Sequence, residues 1–189
     1  MTTLVTILTP GYADWETALI NAASRQYYGL ETRFATPGGE PVTSAGGLKV
    51  VPHMAVEDIE IDRVDAILVN GGTIWSTDDY PDISDLLRNA HAAGKTIGGI
   101  CDGVMALARA GLLDTIRHTA NGPESLPDTG YGGVAHYVSS QRAVLDGGIV
   151  TAPGTAPVSF AGAVLEALGM RNGDLDFYLG LYGTEHQAA

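Results

Sequence analysis

The feature that most constrains this chain is an alternation. Short apolar runs rich in β-branched residues are each followed by a glycine or proline break and then by a stretch with helical spacing. Residues 4–8 (LVTIL) read as a buried strand, punctuated by Thr9-Pro10-Gly11. Asp14 stands where a cap is expected, before a helix that stops at Gly29. Residues 30–36 (LETRFAT) read as a second strand, and residues 42–51 as a hairpin or ragged edge excursion around Ala45-Gly46-Gly47. Residues 64–70 and 96–100 supply two further strands, and residues 148–152 another. Helical spacing marks residues 83–94, the run VMALARAGLL from Val104, residues 155–168 and residues 175–181. Residues 114–148, rich in Pro, Gly and Asn, carry no clear pattern. Strands alternating with helices over short connections predict an α/β fold, a mostly parallel sheet covered by helices on both faces. The 189 residues show no repeat and no clear linker, so a single domain over 1–189 is expected.

In such a sheet functional groups collect at the carboxyl ends of the strands. The fourth main strand ends there in Gly99-Ile100-Cys101-Asp102-Gly103, which holds the only cysteine of the chain. The spacing G-x-C-x-G is the cysteine form of a nucleophile elbow, whose sharp turn needs small residues two places either side of the nucleophile. The N-terminus of the following helix is expected to favour thiolate. The competing reading is an inert, small core thiol. The third strand ends in Asn70-Gly71-Gly72-Thr73, whose bare N–H groups, with that of Asp102, suit an oxyanion hole. Beyond the first strand, Glu16 lies in the first turn of a helix; there it either reaches the same crevice or only complements the helix dipole.

These residues resemble the PfpI-like superfamily, which has the class I glutamine amidotransferase-like fold and includes the parkinsonism-associated deglycase protein. The resemblance rests on PGYADWETALI, ILVNGGT, GKTIGGICDGVMALARAGLL, RHTANGPESL and TAPGTAPVSFA, and runs nearly end to end. It implies a flavodoxin-like three-layer α/β/α sandwich, usually a homodimer. It further implies Cys101 as the reactive cysteine and Glu16 as the acid that hydrogen-bonds its sulfur. Gly72 and Asp102 match the oxyanion-hole positions, and His118 matches a histidine near the cysteine in several members. The His-x-Glu pair of true glutaminases is absent, because Glu185-His186 has the wrong order and stands too near the end. The residue after the cysteine is Asp102, where protease-like members carry His. The Asp102 side chain is expected to turn away from the sulfur, because a carboxylate there opposes thiolate formation.

Among the other candidates, His118 is either a general base or a structural hydrogen-bonding residue. Trp75 and Tyr12, with Gly71, either line a substrate pocket or pack the core. The five histidines show no zinc spacing, and no phosphate-binding glycine pattern is complete, so neither a metal nor a cofactor is expected. The net charge of -12 argues against nucleic acid and anionic membrane surfaces as partners. No signal peptide is evident and no apolar run approaches the ~18 residues of a membrane span. With a lone free cysteine, a reducing cytoplasmic compartment is expected. The function expected is a cysteine-dependent enzyme acting on a small electrophilic molecule; the alternative is an oxidative-stress sensor whose Cys101 is oxidised.

Overall fold

A computed structural model describes residues 1–126 and 130–184. Its strands, in chain order, are β1 (Thr3–Ile7), β2 (Glu31–Thr36), β3 (Val42–Thr43), β4 (Lys49–Val50), β5 (Met54–Ala55), β6 (Ala66–Val69), β7 (Thr96–Ile100), β8 (Val144–Asp146) and β9 (Ile149–Ala152). The α-helices are α1 (Asp14–Tyr27), α2 (Ser84–Ala92), α3 (Val104–Arg109), α4 (Pro157–Ala167) and α5 (Gly173–Gly183). Seven strands form one sheet in the order β5-β2-β1-β6-β7-β9-β8, and β3 and β4 form a separate hairpin. Every pairing in the large sheet is parallel except that of β8 with β9.

Strand side chains alternate between two cores, as a sheet covered on both faces requires. Val5, Ile7, Ile67, Val69, Ile97 and Ile149 pack with Leu87 and Ala90 of α2 and Val104 and Leu107 of α3. Leu4, Ala66, Leu68, Ile100, Val150 and Ala152 pack on the other face with Ile20 of α1 and Phe160, Val164 and Leu165 of α4. The result is the three-layer α/β/α sandwich of the flavodoxin-like type. No helix among the described residues is long and apolar enough to cross a membrane.

The sequence-based elements differ from the structure in four places. Strand β8 falls in the stretch without a pattern; it joins β9 through Gly147 and Gly148, both at positive φ (56° and 79°), a tight turn glycine adopts without strain. Two-residue β5 is too short to leave a periodic signal. Helix α3 ends at Arg109 rather than running on to Leu113, because Gly111 takes a left-handed φ of 70°. Asp14 is not the cap of α1; Ala13 holds that position, and Asp14 Oδ2 accepts the Gly46 N–H at 2.8 Å, tying the helix to the β3–β4 hairpin. Glu185 and His186 lie outside the described residues.

Gly98 on β7 lets the α4 layer close down on the sheet. A Cβ there would fall 2.6 Å from Leu68 Cδ2 and 3.0 Å from Phe160 Cζ. Gly98→Ala is therefore expected to destabilise the fold by about 1–3 kcal/mol. The measurement is a lower urea midpoint at unchanged m-value; an unmoved midpoint would contradict this packing.

Candidate active site

Cys101 leaves β7 at φ 57°, the only non-glycine residue at positive φ among those described. A side chain held there costs about 1–3 kcal/mol unless its surroundings fix it. The surroundings are tight. A Cβ at Gly99 would fall 2.9 Å from Leu107 Cδ1, and one at Gly103 would collide with the Val69 carbonyl. Small residues on both sides are thus a steric demand of the turn, and the turn presents the thiol above the ends of β6 and β7.

Glu16 comes to this thiol from the first turn of α1, with no exposed surface. Its Oε2 accepts the Gly71 N–H at 2.7 Å, and Oε1, with no other hydrogen bond of good geometry, is left to the thiol. A Cβ at Gly71 would lie 2.5 Å from Glu16 Oε2 and 2.6 Å from Cys101 Cβ. A Cβ at Gly154, beyond β9, would lie 2.8 Å from Cys101 Sγ and 3.1 Å from Glu16 Oε1. Carboxyl and thiol are thus pressed together between two glycine backbones. The start of α1 is held over β6 by Asn70, whose Nδ2 donates to the Ala13 carbonyl at 2.9 Å, and by the Ala13 N–H to the Gly71 carbonyl at 3.1 Å.

Burial pushes the Glu16 carboxyl up to about 7, opposed by the Cys101 contact and the Gly71 N–H and reinforced by the Asp102 charge. Burial also pushes the Cys101 thiol up, to about 12; the Asn121 amide opposes this, and Glu16 and Asp102 add to it. Burial and the two neighbouring carboxyl groups thus act against the thiolate expected from the helix end. A helix terminus contributes about 0.3–1 kcal/mol, less than one pKa unit. Here the helix is only six residues long. Burial and two carboxyl groups outweigh it.

Asp102 does not turn away as the sequence reading expected. Its Oδ1 lies 4.0 Å from Sγ and accepts Asn121 Nδ2 at 3.0 Å, while Ser76 Oγ stands 3.5 Å from Oδ2. Asn121 Nδ2 also donates to the sulfur at 3.2 Å, and its Oδ1 accepts the Gly154 N–H at 2.9 Å. Trp15, 58% exposed, donates its indole N–H to the Gly154 carbonyl at 3.2 Å. Asn121, Gly154 and Trp15 are the site residues that sequence reasoning missed. Asn121 stands inside RHTANGPESL, just after Thr119, in a loop read as shaping the pocket without this residue being singled out.

His118 is in the place expected of neither a general base nor a thiol partner. It is fully buried, with Nδ1 on the Ile116 carbonyl at 2.8 Å and Nε2 on the Tyr131 hydroxyl. Burial lowers its pKa, which keeps it neutral, and Tyr131 and Tyr137 stand edge-on to its ring. Trp75 is also fully buried and spends its indole N–H on the Asn70 carbonyl at 3.0 Å, so it packs the core, the second of the two places expected for it. Tyr12 packs with Leu8 and Val42 towards the hairpin. Gly71 is the packing surface beneath the thiol and carboxyl. The Gly72 N–H has no partner among the described residues. The Asp102 N–H, in the first turn of a helical segment, has no intrahelical acceptor. No group of three His, Cys, Asp or Glu among the described residues is placed to hold a metal ion. A groove of about 790 Å³ between α4 and α5 lies away from the thiol, and its Arg171 is already paired with Glu166 and Asp176.

A carboxyl raised from 4.5 to about 7 on folding stabilises the fold while protonated. Its contribution is complete below pH 4.5 and is lost as pH rises through 7. It is on the order of 3 kcal/mol. Glu16→Gln, which keeps an acceptor for Gly71, is expected to remove most of the fall in stability over that window, read by urea unfolding at several pH values. Parallel pH profiles of the two proteins would contradict the assignment.

Residues 2–167 match the DJ-1/PfpI family model. The chain is 31% identical over 165 residues to an uncharacterized protease, YoaZ, of Bacillus subtilis, covering 82% of this chain and 78% of that one. It is 31% identical over 145 residues to a glutathione-independent glyoxalase, DJR-1.2, of Caenorhabditis elegans, covering 74% of each. The crystal structure of a DJ-1 superfamily protein from Agrobacterium tumefaciens superposes with a TM-score of 0.95 at 39% identity, over 99% of this chain and 100% of the other. By its fold, its elbow and these matches, the chain belongs to the DJ-1/PfpI family.

Proposed function

We propose that this chain is a cysteine-dependent enzyme of the hydratase, hydrolase or glyoxalase type, acting as one domain on a small electrophilic carbonyl compound. The observation that carries the reading is the Cys101 thiol on a strained turn, packed against a Glu16 carboxyl that titrates near neutrality. A carboxyl at about 7 is a well-matched general base at neutral pH. The thiol then need not be ionised at rest. Its proton passes to Glu16 as the sulfur attacks, the logic of a nucleophile activated by an adjacent base. The homodimer and the reducing compartment implied by the sequence belong to the same reading.

With a 2-oxoaldehyde, the sulfur forms a bond to the aldehyde carbon and the carbonyl electron pair moves to oxygen. The N–H groups of Gly72 and Asp102 receive that oxyanion. Glu16 returns the proton to give a hemithioacetal. It then takes the proton from the sulfur-bearing carbon while the hydroxyl proton there passes to the neighbouring carbonyl oxygen, giving an enediolate; Glu16 returns its proton to the neighbouring carbon, leaving a thioester. Water releases the 2-hydroxy acid and the thiol. The net reaction adds one water. The similarity to the Caenorhabditis elegans glyoxalase supports this substrate class. The alternative is an oxidative-stress sensor, in which the partly exposed Cys101 thiol is itself oxidised. For proteolysis, the residue after the nucleophile is an acid rather than an imidazole.

Methylglyoxal turnover, followed by appearance of the hydroxy acid, tests the proposal. The wild type is expected to convert it, Cys101→Ser to lose all conversion, and Glu16→Gln to fall by about 10²–10⁴-fold. Undiminished turnover by Cys101→Ser would overturn it.

A further inference from the structure

We propose that the Asp102 side chain is a charge filter on the nucleophile, making the site take uncharged electrophiles and turn away anionic ones. The inference rests on the reading of Cys101 as a nucleophile and names the substrate class within it.

Four observations carry it. First, the carboxylate is fixed beside the sulfur: Oδ1 stands 4.0 Å from Sγ and accepts Asn121 Nδ2 at 3.0 Å, with Ser76 Oγ 3.5 Å from Oδ2. Second, Asn121 has only one usable orientation. Its Oδ1 accepts the Gly154 N–H at 2.9 Å, so its two amide hydrogens must point to the sulfur, at 3.2 Å, and to Asp102. Third, the Gly154 peptide is itself pinned by the Trp15 indole on its carbonyl at 3.2 Å. The filter is thus held by a chain of contacts across the mouth of the site and does not depend on a free side-chain rotamer. Fourth, the Glu16 carboxyl adjoins the thiol as well, and no Lys or Arg pairs with Asp102 or Glu16 among the described residues. Arg109 spends its guanidinium on the Trp75 carbonyl at 2.8 Å and on the face of Tyr80 at 3.7 Å.

An electrophile that carries its own carboxylate to the sulfur therefore meets a fixed negative charge with no cation to offset it. A cationic substrate gains little, because both Asp102 oxygens have hydrogen-bond donors already and Glu16 is buried. At a separation of roughly 6 Å and a near-surface dielectric, one such charge is worth roughly a factor of ten in rate.

Because Cys101 is the only cysteine, alkylation reads the filter without any need for turnover. The rate constants of neutral iodoacetamide and anionic iodoacetate, both displacing iodide from carbon, are measured at one pH by intact mass. Their ratio is compared with that of an uncharged free thiol, N-acetylcysteine amide. The expected result is a ratio roughly tenfold above the reference, falling towards it in Asp102→Asn, which keeps an acceptor for Asn121, and shrinking in the wild type at 1 M salt. A wild-type ratio equal to the reference and indifferent to salt overturns the proposal even if the variant fails to fold. A ratio unchanged in folded Asp102→Asn overturns it too. Turnover of methylglyoxal separates the two readings: if it is not converted but the alkylation ratio stands, the enzyme reading fails and the filter survives.

Discussion

The hydrogen bond from the Gly71 N–H to Glu16 Oε2, 2.7 Å long and fully buried, is the join on which the site depends. It ties the first turn of α1 to the end of β6, and gives a carboxyl removed from water the one backbone partner that fixes its direction. A buried carboxyl without such a partner costs several kcal/mol and moves to relieve it. With Oε2 engaged, Oε1 is delivered to the thiol. The thiol comes to meet it because Cys101 accepts a left-handed turn whose steric room is left by glycines. Each strain is local, and the large two-faced sheet core holds both.

The same packing explains why the electrostatics run opposite to a simple helix-dipole argument. Gly154 brings backbone within contact of the half-buried sulfur, and Gly71 packs against the Glu16 carboxyl and the Cys101 Cβ. Burial raises both acids and the packing sets one beside the other, which is what the proposed proton transfer between them requires. Asn121 is the single neutral donor to the sulfur among the side chains described. It fills the place that the sequence reading gave to His118, whose ring nitrogens are spent on Ile116 and Tyr131.

The frame of the fold was legible in the sequence because parallel strands buried on both faces read as apolar runs, as at residues 4–8 and 96–100. The thiol, the carboxyl and the glycines after β6 were legible because each stands at a strand end or just beyond it, where topology alone gathers groups. What stayed hidden depends on long-range contacts. Asn121 reaches Cys101 across 20 residues from a stretch with no periodic pattern, and Trp15 meets Gly154 from the other end of the chain. Trp75 was ambiguous because a large aromatic after a strand end serves a pocket and a core equally well; only its depth decides, at zero exposure. The inward turn of Asp102 follows from an amide that no local rule could place there.

The central claim is that the half-buried Cys101 thiol and the buried Glu16 carboxyl form one proton-sharing pair. The pH dependence of Cys101 alkylation by iodoacetamide, in the wild type and in Glu16→Gln, tests it most directly. The account predicts a wild-type inflection well above the ordinary thiol value of ~8.5, moving down when the Glu16 charge is removed. An inflection below that value, or one that ignores Glu16, would contradict it.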